Sequence, residues 1–257
     1  MTTLKLHISP CPNDTFMFDA LINGRIDTAA LRFEVEFLDI EELNQAALNC
    51  VADISKISCA ILPSIEQNYT LLRSGAALGS GNGPLLVRRS GDTAPLRSVA
   101  IPGTHTTAAA LMRRLYPSIT DLRPMLFSSI ASAVERSEVD AGVLIHEGRF
   151  VYAARNLELV ADLGLLWEER FNLPLPLGGI VIRNSFDATL RQRVETLLRH
   201  SIEYAFANPL ASRDFVKQHA QELDNNIIDS HINLFVNQYS LDISTQGERA
   251  LKELLSR

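Results

Sequence analysis

Along the first 150 residues, short strand-like runs trade places with longer segments of helical spacing. Leu4-Lys5-Leu6-His7-Ile8 alternates apolar and polar positions, and after a turn the apolar run Phe16 to Ile22 predicts a helix near Asp14 to Asn23, ended by Gly24. Phe33 to Asp39 leads into a helical segment near Ile40 to Asn49, and Ala52 to Ile57 into another over Cys59 to Gln67. A strand-then-helix rhythm repeated in this way predicts a mostly parallel sheet with helices on its faces. Leu85 to Arg89 predicts a strand that closes in Ser90-Gly91-Asp92, a crossing point into a second domain where the rhythm restarts. Strands are expected at Ser98 to Ile101, Pro124 to Phe127 and Ala141 to His146, with helices at Thr106 to Leu115 and Ser129 to Ser137. A returning strand at Gly179 to Arg183 follows a proline-rich loop that holds Trp167, Phe171 and Leu173, a possible apolar wall for a flat ring or packing between lobes. Beyond it the pattern is helical: Asp187 to Asn208, Ala211 to His219, Asn226 to Asn237 and Ser244 to Ser256.

Two α/β lobes, two inter-lobe crossing strands and a helical tail describe the two-lobed, type II periplasmic-binding-protein-like architecture. Its discontinuous large lobe is expected over 1–88 and 180–257, and its small lobe over 89–179. In open parallel sheets ligands lie at the carboxyl ends of strands, so the helix starts near Asn13, Ser58 and Thr106, and His146 at its strand end, are expected to face one cleft.

The first of these starts is the most distinctive. Pro10 and Pro12 fix their own φ in Ser9-Pro10-Cys11-Pro12-Asn13-Asp14-Thr15-Phe16, and Asn13 or Asp14 is placed to cap the helix. Its amides favour an anion or hydroxyl, although a stiff connection with no ligand fits the same residues. Cys11 reads as a small packing residue in preference to a thiolate. Gly103-Thr104-His105-Thr106-Thr107 has the composition of a carboxylate cradle or of an ordinary N-cap. Ser55 and Ser58 lie where a strand turns into a helix, and Lys56 has either a ligand carboxylate or Asp53 as its partner. His146 places an imidazole at a cleft mouth, as a base or as a structural hydrogen-bonding group.

Composition narrows the classes. A net charge of −6 over 257 residues gives no electrostatic footprint for nucleic acid or anionic lipid. No run approaches the about 18 apolar residues that span a bilayer, and no secretion leader is legible, so a cytoplasmic protein is expected. Three cysteines without a C-x-x-C pair fit reduced thiols. No metal site is expected, since His146-Glu147-Gly148-Arg149 is not H-E-x-x-H. No nucleotide cofactor is expected either, because Gly79-Ser80-Gly81-Asn82-Gly83 lacks the G-x-G-x-x-G order and precedes a strand.

The SPCPNDTF segment with Asp19-Ala20-Leu21 resembles the opening of the dihydroxynaphthoate synthase family of the futalosine route to menaquinone. Four further stretches are similar to that family: Asp53 to Ser58, Gly83 to Val87, Ile101 to Thr107 and Ala141 to Arg149. With Leu173 to Gly179, the likeness covers about the first 180 residues. The resemblance implies the same two-lobed fold and a cofactor-independent carbon–carbon lyase that takes a small carboxylated aromatic substrate, as monomer or homodimer. It implies His146 as general base, Thr106 and Thr107 as donors to a carboxylate or oxyanion, and Ser55, Lys56, Ser58, Asn13 and Asp14 as further contacts. The sister chorismate dehydratase shares fold and pathway. A non-catalytic carboxylate-binding protein predicts a secretion signal or a lipid-anchoring cysteine, and a ligand-sensing regulator predicts a DNA-binding helix-turn-helix.

Overall fold

The computed structural model describes residues 2–28, 30–79, 81–146, 148–220 and 224–256, side chains of residues 150 and 151 aside. Ser80 and Glu147, both in stretches singled out above, lie outside the described residues. The first lobe opens with β1 (Thr2–Ile8), α1 (Pro12–Ile22), β2 (Leu31–Phe37), α2 (Ile40–Leu48) and β3 (Ile54–Ser58). A 3-10 turn at Cys59–Ile61, α3 (Leu62–Ile65), β4 (Tyr69–Leu71) and β5 (Ala77–Gly79) follow. The second lobe holds β6 (Leu85–Arg89), β7 (Ser98–Ile101), α4 (Thr107–Leu115), β8 (Asp121–Pro124), α5 (Phe127–Glu135), β9 (Ala141–Leu144), α6 (Gly148–Val151), β10 (Leu157–Asp162) and α7 (Leu163–Phe171). The chain returns through β11 (Leu175–Arg183) to α8 (Ala188–Ala207), α9 (Arg213–His219), α10 (Asn225–Phe235), α11 (Gln238–Leu241) and α12 (Ser244–Leu255).

One sheet runs β2-β1-β3-β11-β4, with β5 also on β11; the other runs β10-β6-β9-β7-β8. β1 is parallel to β2 and β3, and β7 to β8 and β9, whereas β11 and β6 run antiparallel to their neighbours. This is the expected α/β architecture, with its seams shifted. Leu85–Arg89 pairs with β9 and β10 and so belongs wholly to the second sheet. The first half of β11 pairs with β5, so the first sheet already resumes at Leu175. The chain therefore changes sheets between β5 and β6 and again between β10 and β11, earlier than the limits of 88 and 180 expected from the pattern. Pro174 and Pro176 disguised the second seam as a loop. Pro176 is accommodated inside β11 because the register slips between it and Gly178.

Two other expectations shift for local reasons. Phe127 opens α5 instead of ending a strand, and Trp167 sits in α7, fully buried with its Nε1 donating to Pro174 O, away from any wall of the cleft.

α1 is buried nearly all round, its polar Asn13, Asp14, Thr15 and Asp19 included, which marks an internal helix. Phe16, Met17, Phe18 and Leu21 pack among Leu4, Leu6 and Ile8 of β1 and Leu197, Leu198 and Ile202 of α8. A second cluster joins the lobes, since Leu86, Val99, Ile101, Met112 and Trp167 pack with Cys59, Leu175 and Leu254. Arg114 of α4 reinforces that joint by donating to Glu253 Oε1 of α12 at 2.5 Å while lying over the Phe171 ring.

Candidate active site

The carboxyl ends of β1, β3, β7 and β9 open on a cavity of about 100 Å3 between the lobes. Asn13, Asp14, Lys56, Ser58, Thr106, Thr107 and His146 all line it. Ser55 does not. Side chains alternate across a strand, so Lys56 and Ser58 share the cavity face of β3 while Ser55 points the other way, fully buried, with its hydroxyl donating to Lys56 O.

The floor is a chain of buried polar contacts on the first lobe. Lys56 Nζ donates to Asp14 Oδ1 at 2.7 Å, Asn13 Nδ2 donates to the same oxygen at 2.8 Å, and Ser9 Oγ donates to Asp14 Oδ2 at 2.7 Å. Within the protein Lys56 thus pairs with Asp14 and not with Asp53, which instead accepts from the Lys5 amide. Asn13 and Asp14 do not cap α1 either. The cap position is Cys11, which makes no side-chain cap bond, and Pro12 opens the helix without needing a donor. Gly178 keeps the floor open, because a Cβ there would lie 2.9 Å from Lys56 Cε and 2.8 Å from Ile57 O.

On the second lobe, the Thr106 hydroxyl caps α4 by accepting from Ala109 N, and donates to Gly103 O. The Thr107 hydroxyl donates to Leu177 O of β11 at 2.8 Å. Both hydroxyl protons are therefore committed to the protein. The Thr107 and Ala108 amides come before Ala110, the first α4 amide bonded to a backbone carbonyl of its own helix, so these amides and the helix dipole supply the anion-favouring end. Gly103, at φ +145°, approaches the opposite lobe: a Cβ there would meet Glu41 Oε2 at 2.3 Å. His105 Nδ1 sits 2.6 Å from Glu41 Oε1, tying the rim of α2 to the α4 loop.

β9 stops at Leu144, short of the strand end expected at His146, and His146 lies two residues beyond it in the left-handed region, φ +53°, a conformation costly for a residue with a Cβ and found preferentially where function requires it. Its Nδ1 lies 3.3 Å from Cys11 Sγ, a contact that spans the lobes, and Phe127 packs edge-on against its ring. Cys11 is thus buried in the turn, as a small residue there should be, and also positions the imidazole. Arg149, half-buried nearby, donates to Gly83 O and pairs with Asp162; burial pulls its pKa down. Lys56 and Arg149 each have a carboxylate of their own.

Sequence reasoning missed His231 and Phe235, which α10 brings to the same cavity. The signal was present. Ile228, His231 and Phe235 fall on one helical stripe and are all buried, so a histidine interrupts an apolar face. His231 Nε2 is 3.0 Å from Asn13 Oδ1, and its ring lies 6.2 Å from that of His146, 17° from parallel. Burial, then the nearby His146, Arg149 and Lys56, hold its pKa well below the usual histidine value.

The chain is similar in sequence and in fold to known proteins. A family model described as menaquinone biosynthesis matches residues 4–257. A protein from Thermus thermophilus named 1,4-dihydroxy-6-naphthoate synthase is 40% identical over 261 residues, covering 100% of this chain and 94% of its own. One of the same name from Streptomyces coelicolor is 41% identical, covering 99% and 92%. A crystal structure of an Archaeoglobus fulgidus protein superposes with a TM-score of 0.91 at 33% identity, over 98% of this chain and 95% of that one. The ligand-binding component of an ABC-type importer from Staphylococcus aureus shares the fold at a TM-score of 0.74 and 10% identity, over 99% and 91%.

Proposed function

The chain belongs to the menaquinone biosynthesis family, and from that premise we propose that it is a 1,4-dihydroxy-6-naphthoate synthase. It cleaves cyclic dehypoxanthinylfutalosine to the dihydroxynaphthoate and a sugar-derived fragment, in the cytoplasm, where its three cysteines stay reduced. The observation that carries this reading is one cavity in which an imidazole from one lobe faces an anion-favouring helix start and a neutralised lysine floor.

The chemistry needs little more. His146 takes a proton from a hydroxyl of the sugar-derived part; the O–H electrons become a C=O bond as the adjacent C–C bond breaks, and its pair enters the carbonyl-bearing ring. Aromatisation of that ring drives the cleavage forward. The first amides of α4 receive the substrate carboxylate, and Ser58 and Asn13 line the route between the two ends. Cys11 and the left-handed turn hold His146 in place, so the base is set before substrate arrives.

Incubation of the purified protein with cyclic dehypoxanthinylfutalosine, followed by chromatography for the naphthoate, tests the proposal. Formation of dihydroxynaphthoate is expected. No product from that substrate, together with dehydration of chorismate, would assign the chain to the sister activity.

A further inference from the structure

We infer that His231 is a further substrate-binding residue, whose Nδ1 accepts a hydrogen bond from a hydroxyl of the bound substrate. Lys56 fixes the orientation of Asn13. Its ammonium and the Asn13 Nδ2 both donate to Asp14 Oδ1, so the amide of Asn13 is oriented with Oδ1 toward α10. A reversed amide would set two acceptors, Asn13 Oδ1 and the Asp14 carboxylate, against each other. Asn13 Oδ1 only accepts, and therefore His231 Nε2 carries the ring proton of a neutral imidazole. Protonating the second nitrogen as well would put a cation beside Lys56, Arg149 and His146 in a buried site, which is why this histidine stays neutral. Nδ1 is then a bare lone pair. It is buried and without a hydrogen-bond partner among the described residues.

His7 Nδ1 is likewise buried without a partner among the described residues, but His7 lies on β1 outside the cavity, whereas His231 lines it beside Phe235. His231 lines the cavity, and the α4 end of the same cavity presents the first amides of that helix, which make no bond to a backbone carbonyl of their own helix. The cavity thus sorts its occupant end to end, with an acceptor toward α4 and a hydroxyl donor toward α10. His146 and His231 face each other across 6.2 Å from opposite lobes, so a substrate held against the first also meets the second. This inference rests on the proposed function for the identity of the hydroxyl.

Calorimetric titration with 1,4-dihydroxy-6-naphthoate and with the two analogues lacking one hydroxyl each tests it. In the unaltered protein one analogue should bind about tenfold more weakly than the dihydroxy compound, because its loss leaves Nδ1 unsatisfied. In His231→Leu that ratio should fall to near one. A ratio that survives the substitution, or the absence of any discrimination in the unaltered protein, overturns the inference. Should His231→Leu fail to fold, the unaltered protein labelled with 15N-histidine decides the same question. The Nδ1 resonance should move on adding the dihydroxy compound and stay put with the analogue, and a resonance that ignores both overturns the inference. Turnover of the cyclic futalosine, measured on the same samples, separates the two claims. Turnover with the ratio unchanged in His231→Leu rejects the role of His231 alone, and hydroxyl-dependent binding without turnover rejects the enzymatic reading while His231 stands.

Discussion

Lys56→Met isolates the buried charge at the cavity floor. Lys56 and Asp14 side chains are 6% and 0% exposed and 2.7 Å apart. At an effective dielectric of about 20, that separation corresponds to a gross attraction of about 6 kcal/mol, set against several kcal/mol for desolvating each ion. The two nearly cancel, so the pair as a whole contributes little. Breaking it from one side is different. Asp14 keeps the Ser9 amide, the Ser9 hydroxyl and Asn13 Nδ2, but its charge loses its counter-ion in a water-poor site. The expected loss for Lys56→Met is about 3–5 kcal/mol. Asp14→Asn in the same chain should restore about 1–3 kcal/mol of it, because contacting groups are coupled. Guanidinium unfolding followed by both circular dichroism and the fluorescence of the single tryptophan, Trp167, measures all the variants in the cycle. A loss below about 1 kcal/mol for Lys56→Met, or single losses that simply add in the double variant, would refute this account of the floor.

His146→Asn should lower kcat by roughly 10²-fold or more with an unchanged circular dichroism spectrum, and near-normal turnover would remove it from the mechanism. Because the Thr107 hydroxyl proton goes to Leu177 O, Thr107→Val should weaken a carboxylated naphthol and its carboxylate-free analogue alike in calorimetry; a loss confined to the carboxylated ligand would show that the hydroxyl reads the charge. His231 is neutral in the fold but takes a proton near pH 6.5 once unfolded, so its contribution is complete above that pH and fades below it. Burial lowers His7 and His219 in the same direction. Unfolding free energy should therefore fall on acidification by up to about 1.4 kcal/mol per pH unit for His231, and His231→Gln should flatten that slope between pH 6.5 and 5. An identical slope in the variant would contradict the assigned protonation state.

How much of this was legible depends on how far apart the partners lie. The cleft was readable because it follows from strand ends: β1 alternates apolar and polar positions, and β7 and β9 are short apolar runs between helical segments. Ser55 was misassigned although the information was local: three residues along a strand is an odd step and reverses the face, so Ser55 and Ser58 never shared one. The lobe seam was hidden because Pro176 belongs to a strand that tolerates it only at a slipped register, a property of its partner β5. The contact of Cys11 with His146 joins residues 135 apart, and that of Asn13 with His231 joins residues 218 apart. Both depend on how helices pack, which residue spacing does not encode. Lys56 shows the same limit: charge complementarity offered Asp53, and the fold supplied Asp14.

The sheet order β2-β1-β3-β11-β4 has a consequence for how the molecule is made. The strand that joins β3 to β4 is β11, and the ribosome delivers it only after the whole of β6 to α7. Until residues 175–183 emerge, β3 presents an open edge, and β4 and β5 have no strand beside them. The segment from β6 to α7 is contiguous and can begin to organise while the first lobe waits. Long-range closure of this kind is slow and leaves apolar strands exposed to pairing with neighbours. His231 arrives later still, after β11, so a ribosome-stalled chain ending before α10 would carry His146 without the imidazole that faces it.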